Sequence, residues 1–168
     1  NWHNVYDAVR GVNKALATNA NNSEESRSDT MDSFDSDGFT LGNDTSQNPD
    51  GYNTNADGHT YVCWAWKESA TAGFDIVSYT GNATARTISH SLSAVPHFII
   101  VKNSSADDSW EVGSHQLGTK DWTDRLFLED DTASVDDAAA WNDTAPTSSV
   151  FSVGTSNNVN RDTSTLMA

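Results

Sequence analysis

Short apolar segments alternate with long polar loops along this chain, and many apolar positions recur every second residue. Phe39, Thr40 and Leu41 alternate as a strand with one buried face does, and residues 97–102 form an apolar run after Pro96. Further strands are predicted at about 2–7, 14–18, 74–79, 85–90, 110–112 and 125–128. With one helical turn at 138–141, this pattern predicts an all-β fold, an antiparallel β-sandwich of the jelly-roll or lectin-like type.

The strongest predicted strand covers residues 59–67. Its apolar side chains fall on both faces, with Val62, Trp64 and Trp66 on one and Tyr61, Cys63 and Ala65 on the other. A strand with two apolar faces is typically covered on both sides. We therefore expect Trp64 and Trp66 in the core and Cys63 as a small buried thiol.

Residues 1–66 and 107–168 share a series of residues in the same order. The pairs are Trp2 with Trp110, Gly11 with Gly118, Phe39 and Leu41 with Phe151 and Val153, Gly42 with Gly154, and Val62 with Met167. Such repetition is typical of modular arrays, whose units pack against themselves or their neighbours. We expect residues 1–67 to be the second half of a first unit, 68–73 a linker, and 74–168 a second unit truncated at its last strand. The tryptophans of the repeat, Trp2 and Trp110 included, are expected in the core.

This organisation leaves the first unit without its opening strands. Residues 74–102 supply those strands in the second unit, and their counterparts would precede residue 1. Exposed strand edges readily pair with other strands. We therefore expect residues 74–102 to pair with the first half-unit, or another chain to fill the gap.

Composition narrows the classes of function. The net charge of −15 and four isolated lysines leave no basic surface for a nucleic acid, and no apolar stretch is long enough for membrane insertion. The only cysteine, Cys63, excludes a disulfide within the chain and a cysteine-based zinc site. Six Trp, six Phe and four Tyr favour a folded chain over a disordered one.

The sequence contains no strong signal for catalysis. It lacks a G-x-S-x-G motif, and its five histidines have no metal-binding spacing. Its five glutamates mostly lie in polar surroundings, whereas a general acid needs an apolar pocket that raises its pKa. We predict that the chain is not an enzyme, with calcium as the one cofactor to consider.

Two Asn- and Asp-rich segments resemble the first half of a calcium-binding loop. Their candidate ligands are Asn53, Asn55 and Asp57 in one segment and Asp35 and Asp37 in the other. Neither segment has the bidentate glutamate that completes such a loop, and Asn, Asp and Gly are also common in ordinary turns. Calcium binding and simple turn formation are therefore both open.

Specificity in a repeat protein is expected where the copies differ, which is in the polar loops 19–32, 43–58 and 119–142. Trp122 and Trp141 lie in or near the last of these and have no counterpart in the first copy. They are the candidate ligand-binding residues, an exposed platform on which a sugar ring could stack. The alternative is that they plug the core from a loop.

Several phrases of the sequence resemble one known module. They are DAVRG at 7–11, YVCWAWK at 61–67, SYTGN at 78–82 and PHFIIVK at 96–102. They are similar to an uncharacterised repeat domain of long structural proteins of marine tailed bacteriophages, often downstream of SPRY or laminin-G-like sandwiches. The acidic segment 121–131 departs from that pattern and would be a locally diversified surface.

The resemblance implies a virion structural protein, a segment of a phage tail fibre or similar appendage that contributes to host-surface attachment. It implies a location on the virion surface, outside the cell, and no catalytic residues. The implied partners are other copies, other virion proteins or a host-surface glycan. The alternatives are a carbohydrate-binding adhesin module, viral or bacterial, and a glycan depolymerase built on a sandwich.

Overall fold

The computed structural model describes residues 2–43, 51–118 and 122–168. Within them the chain forms thirteen short strands and two single-turn helices, and every strand pairing is antiparallel. The predicted all-β class is therefore confirmed. Parts of two predicted loops, residues 44–50 and 119–121, lie outside the described residues.

The strands fall into two groups along the chain. The first group is β1 (Asn4–Val5), β2 (Lys14–Ala17), β3 (Glu25–Ser26), β4 (Met31–Phe34) and β5 (Phe39–Leu41). The second group is β6 (Ser78–Thr80), β7 (Arg86–Ser89), β8 (Phe98–Asn103), β9 (Glu111–Ser114), β10 (Asp124–Phe127), β11 (Val135–Asp136), β12 (Val150–Val153) and β13 (Thr165–Met167), with helices α1 (Ala138–Trp141) and α2 (Asn157–Asn160).

Four sheets connect these strands. The first group forms a three-stranded sheet β1-β2-β3 and a hairpin β4-β5, and the second forms a six-stranded sheet β11-β10-β9-β8-β13-β6 and a pair β12-β7. Among the described residues, strands of the first group pair only with each other. The first alternative, that residues 74–102 pair with the first half-unit, is therefore wrong, and the second, that another chain fills the gap, stays a prediction.

The main core gathers side chains from the six-stranded sheet, the β12-β7 pair and both helices. Its buried members are Ile88, Ile99, Val101, Trp122, Ala140, Trp141, Phe151, Val153, Val159 and Leu166. A smaller cluster of Ala15, Ala17 and Tyr52 serves the first group, with Trp2 packed at its edge. Trp110 is buried as predicted, whereas Trp2 is half-buried.

Residues 59–67 correct the strongest strand prediction. None of them lies in a strand, and Trp64 and Trp66 are 73% and 67% exposed. Cys63 is exposed too. The alternation of the sequence is suited to a two-faced buried strand, but no described strand lies beside this segment to cover it. The predicted burial of Trp64, Trp66 and Cys63 is therefore wrong.

Predictions for other elements were more accurate. The strands predicted at 14–18, 85–90 and 97–102 and the helical turn at 138–141 are confirmed as β2, β7, β8 and α1. The strand predicted at 74–79 shrinks to β6. Three short strands of two to four residues were not predicted: β3, β4 and β11. No helix of the described residues has the length and apolar character needed to cross a membrane.

Candidate functional site

The predicted sugar-binding platform lies inside the core. Trp122 precedes β10 and Trp141 ends α1, and their rings meet edge to face with centroids 5.7 Å apart. They are only 3% and 1% exposed. The prediction of an exposed platform is therefore wrong, and the alternative, a plug over the core, describes their position.

Gly113 of β9 makes room for this aromatic pair. A Cβ atom at position 113 would lie 2.6 Å from Cε2 of Trp141 and 2.8 Å from Cζ3 of Trp122. No larger residue fits without moving both rings, because core side chains are already close-packed. The two tryptophans thus pack against β9 and are not accessible to a ligand.

The first set of candidate calcium ligands organises a hairpin. Asp35 accepts hydrogen bonds from the hydroxyls of Ser33 (2.8 Å) and Thr40 (2.9 Å), and its backbone N–H donates to the carbonyl of Gly38 (2.9 Å). Asp37 is exposed at the tip of that turn. These contacts are those of an Asp-stabilised β-turn.

The second set is also engaged in local structure. Asn55 donates its amide to the carbonyl of Gly42 (3.2 Å), Asn53 is buried, and Asp57 is exposed. Over the described ranges, no three His, Cys, Asp or Glu side chains gather closely enough to hold a metal ion. Calcium binding stays a prediction, without a carboxylate cluster to support it.

The most prominent surface feature is a wide apolar groove of about 2190 Å³. Of the eleven large apolar side chains that the described residues expose, nine line it. These nine define the apolar groove: Phe34, Phe39, Tyr61, Val62, Trp64, Trp66, Val95, Phe98 and Leu128. An apolar surface of this extent marks an interaction site rather than ordinary surface. The sequence signal for it was the lack of partner strands for the first half-unit.

The backbone pairing of the first strand group recurs in the second. Lys14 of β2 pairs with Ser26 of β3, and Asp124 of β10 pairs with Asp136 of β11. Both residues of the second pair lie 110 positions after their counterparts in the first pair. In one turn the Asp35 N–H donates to the carbonyl of Gly38 (2.9 Å). In a matching turn 112 residues later, the Thr147 N–H donates to the carbonyl of Val150 (2.8 Å).

Two glycines make the same close backbone contact. The Gly42 N–H donates to Thr30 (3.1 Å), and the Gly154 N–H donates to Ala140 (2.8 Å). A Cβ atom on Gly42 would lie 2.4 Å from the carbonyl oxygen of Asp29, the residue before Thr30. A Cβ atom on Gly154 would lie 2.3 Å from the carbonyl oxygen of Ala139, the residue before Ala140. Only glycine permits so close an approach of two backbone segments.

An asparagine then binds each glycine's carbonyl. Asn55 donates to Gly42 (3.2 Å) and Asn160 to Gly154 (2.8 Å). Three residues after each asparagine the backbone turns left-handed, with φ of 74° at Gly58 and 59° at Thr163. The spacing aligns Tyr61 and Val62 with Leu166 and Met167 of β13.

Matching positions differ sharply in burial. Phe151 is 3% exposed and Phe39 is 38% exposed; Met167 is 7% exposed and Val62 is 78% exposed. Phe151 lies on β12, which has β7 as its neighbour, and Met167 lies on β13, which lies between β6 and β8. Among the described residues, β5 has only β4 beside it and no counterpart of β7, and residues 59–67 have no strand beside them.

The most perturbed carboxyl belongs to Glu111, which has no exposed surface. Its side chain accepts a hydrogen bond from Asn158 (2.7 Å) and lies 3.2 Å from Nε of Arg125. Burial raises the pKa of Glu111 to about 7. Polar surroundings were expected for most of the five glutamates, and Glu111 is a buried exception. Because the carboxyl is fully covered, it stabilises β9 against α2 rather than meeting a substrate.

A polar junction joins the two strand groups. Nζ of Lys102 donates to the carbonyls of Asn21 (3.0 Å) and Asp108 (2.6 Å), and burial lowers its pKa to about 8. Nε1 of Trp110 donates to the carbonyls of Ala17 (2.9 Å) and Ala20 (3.0 Å). The loop after β2 is therefore held on the turn between β8 and β9.

The fold and the groove define an antiparallel all-β protein with a large unpartnered apolar surface. The chain belongs to the family described as a domain of unknown function, DUF7483, whose sequence model matches residues 1–168. No curated protein and no solved structure matches the chain.

Proposed function

We propose that the chain is part of a tandem-repeat structural protein and that the array forms a virion appendage such as a phage tail fibre. One observation carries the repeat: the glycine contact of Gly42 with Thr30 recurs at Gly154 with Ala140. Close backbone approaches of this kind are specific to a fold, and chance alone does not place them at matching positions.

In this proposal a complete unit is a small β-sandwich. The core of the second unit lies between the six-stranded sheet and the β12-β7 pair, and side chains from both contribute to it. This arrangement supports a sandwich, since two sheets bury their inner faces against one core. The first unit contributes β1 to β5 and residues 59–67.

The junction supports an array rather than two independent domains. Lys102 and Trp110 of the second unit bind five carbonyls, three in the first unit and two in their own turn. Buried polar contacts of this sort fix the orientation of neighbouring units. Partners are then other copies of the unit or other virion proteins.

The viral assignment rests on the sequence phrases YVCWAWK, SYTGN and PHFIIVK. A location on the virion surface, outside the cell, and a contribution to host attachment follow from it. The charge of −15 is compatible with an exposed, salt-bathed protein, because ions screen its self-repulsion. The proposal assigns the chain no catalysis.

The viral assignment is tested by immunogold electron microscopy of virus-sized particles from the source of the sequence. Antibodies against the purified chain are expected to label tail appendages, and antibodies pre-absorbed with the chain serve as the control. Peptides of the chain should also copurify with those particles in mass spectrometry. Label confined to cells or to free protein would contradict the proposal.

A carbohydrate-binding adhesin module is the second candidate, because Trp64 and Trp66 expose 73% and 67% of their surface. Exposed indole rings stack on sugar rings. Oligosaccharides would then quench tryptophan fluorescence, and the Trp64→Ala/Trp66→Ala variant would lose the quenching. Unchanged fluorescence in a screen of surface glycans would leave the structural role alone.

A further inference from the structure

We propose that the apolar groove is an acceptor site for a strand pair like β6 and β8, contributed by a further copy of the same unit. In the occupied state residues 60–63 become a strand between those two, as β13 is in the second unit. This inference rests on the repeat proposed above and is independent of the viral assignment.

The environment of β13 specifies the occupant. Leu166 pairs with Tyr79 of β6 and with Asn103 of β8, and Met167 pairs with Ser78 and Lys102. β13 therefore has strands on both sides. Tyr61 and Val62 occupy the matching positions of the first unit and are exposed. A central strand without neighbours leaves its backbone groups and apolar side chains open to pairing.

The hydrogen bond from an asparagine to a glycine carbonyl, made by both Asn55 and Asn160, points to the same occupant. Asn160 is fully buried: its amide donates to the carbonyl of Thr84 (2.8 Å), and its side-chain oxygen accepts from the N–H of Asn82 (3.0 Å). Both partners lie in the segment between β6 and β7. Asn55 makes the matching bond to Gly42 but is itself exposed. A second 82–84 segment in the groove would complete its hydrogen bonds.

A counterpart of β7 would pair with β5, whose Phe39 also faces the groove. Phe151 of β12 pairs with Ile88 of β7 and is buried. Phe39 of β5 holds the matching position and faces the groove. One continuous segment, β6 through β8, would thus cover Phe39, Tyr61 and Val62 together. An unrelated protein would have to match three separate positions, and for this reason the unit's own strands are the better occupant.

The register of the sheets tells where such a segment joins the chain. Ala17 of β2 pairs with Asn4, and the matching Phe127 of β10 pairs with Glu111, so residue 4 corresponds to residue 111. This strand register corrects the sequence alignment of Trp2 with Trp110 by one position. Residue 1 then corresponds to residue 108. A copy of residues 74–107 placed directly before residue 1 should therefore complete the first unit without an added linker.

The test is that fusion, compared with the chain itself. The added segment contains neither Cys nor Trp, so Cys63 stays the only thiol. We expect alkylation of Cys63 by iodoacetamide to slow by about tenfold or more, because a paired strand is reached only by local opening. Amides of residues 60–63 should gain hydrogen-exchange protection, and tryptophan emission should shift to the blue.

A matched control carries Tyr79→Pro and Ile99→Pro in the added copy alone. Proline removes a ladder hydrogen bond from each strand, so Cys63 should react as fast as in the unmodified chain. The same probes applied to the unmodified chain with the 74–107 peptide added in trans cover the case of a fusion that does not fold.

Three results would overturn the proposal. The first is unprotected Cys63 in both the folded fusion and the peptide mixture. The second is equal protection in the proline control. The third is protection in the unmodified chain that rises with its concentration, which would mean that two grooves close on each other instead. None of these results bears on whether particles carry the protein.

Discussion

At the scale of single residues, the second strand group is organised around two buried features that share β9. Gly113 seats the crossed rings of Trp122 and Trp141, and the neighbouring Glu111 binds Asn158 and Arg125. Arg125 in turn holds Asp137 at 2.8 Å, and that contact lowers the pKa of Asp137. An apolar plug and a polar network therefore contact β9 at positions two residues apart.

Replacing either buried tryptophan should be costly. We expect Trp122→Ala and Trp141→Ala each to lower the free energy of unfolding by about 3–5 kcal/mol, as truncation of a core aromatic does. The exposed Trp64→Ala is the matched control and should change stability by less than about 0.5 kcal/mol. Urea unfolding followed by circular dichroism measures all three. Similar losses for Trp64 and Trp141 would contradict the assigned burial.

The buried carboxyl of Glu111 predicts an unusual pH dependence. Its pKa of about 7 in the folded state lies above the ordinary value of 4.5, so the folded chain retains a proton that the unfolded chain releases. Stability from this group is therefore full below pH 4.5 and is lost as the pH rises to about 7. The melting temperature should fall across that interval.

Glu111→Gln removes this titration while keeping an amide of the same shape. In this variant the melting temperature should be flatter between about pH 4.5 and 7 than in the unmodified chain. Glu68→Gln, at an exposed carboxyl, should leave the slope as it is. An unchanged slope in Glu111→Gln would show that Arg125 keeps the carboxylate charged in the fold.

Residue positions were the hardest part to predict. Trp122 and Trp141 flank an acidic loop, and polar neighbours in sequence suggested exposure. Their burial is decided by Gly113, which lies in another strand and shows no sign of that role in the sequence. Glu111 was likewise missed, because the partners that bury it, Arg125 and Asn158, are distant in sequence.

At the scale of elements, local alternation predicted strands well where a neighbouring strand exists. β8 has β9 and β13 beside it, and its apolar run was recognised. Residues 59–67 show an equally strong pattern but lie outside every strand. The alternation encodes a strand suited to burial, whereas pairing also requires partners, and none is present in the described residues.

The glycine contacts test whether the two units share one architecture. Gly154→Ala and Gly42→Ala should each destabilise the protein by about 1–3 kcal/mol, because the new methyl group meets a backbone carbonyl. Gly38→Ala is the control, since a Cβ atom there meets nothing within 4 Å. Thermal unfolding compares the three. Loss at position 154 alone would indicate that the first unit does not depend on the same contact.

At the scale of the whole molecule, the two strand groups differ in the size of their apolar cores. The second group has a ten-residue core and the first has a three-residue cluster, and side chains from both groups line the apolar groove. The junction at Lys102 and Trp110 joins the two groups, and Trp110 also lines that groove. The apolar groove is therefore the most informative surface for testing the proposed repeat.

Calcium should have little effect on the whole molecule. Asp35 is already bonded to Ser33 and Thr40, and Asn55 to Gly42. At constant ionic strength, calcium is expected to shift the melting temperature no more than magnesium does. A calcium-specific rise that disappears in Asp57→Ala would instead establish the 53–57 loop as a binding site.

Salt should stabilise the protein through its net charge. Twenty-four acidic residues face nine basic ones, so repulsion among carboxylates outweighs ion pairs such as that of Arg125 with Asp137. Charges interact over about 30 Å at 0.01 M salt but over only about 8 Å at 0.15 M. We expect the melting temperature to rise with sodium chloride over this range, by about 2–4 °C for each kcal/mol of repulsion relieved. Chloride is chosen because it avoids the general stabilisation that sulfate causes. A melting temperature that falls with salt would show that the ion pairs dominate after all.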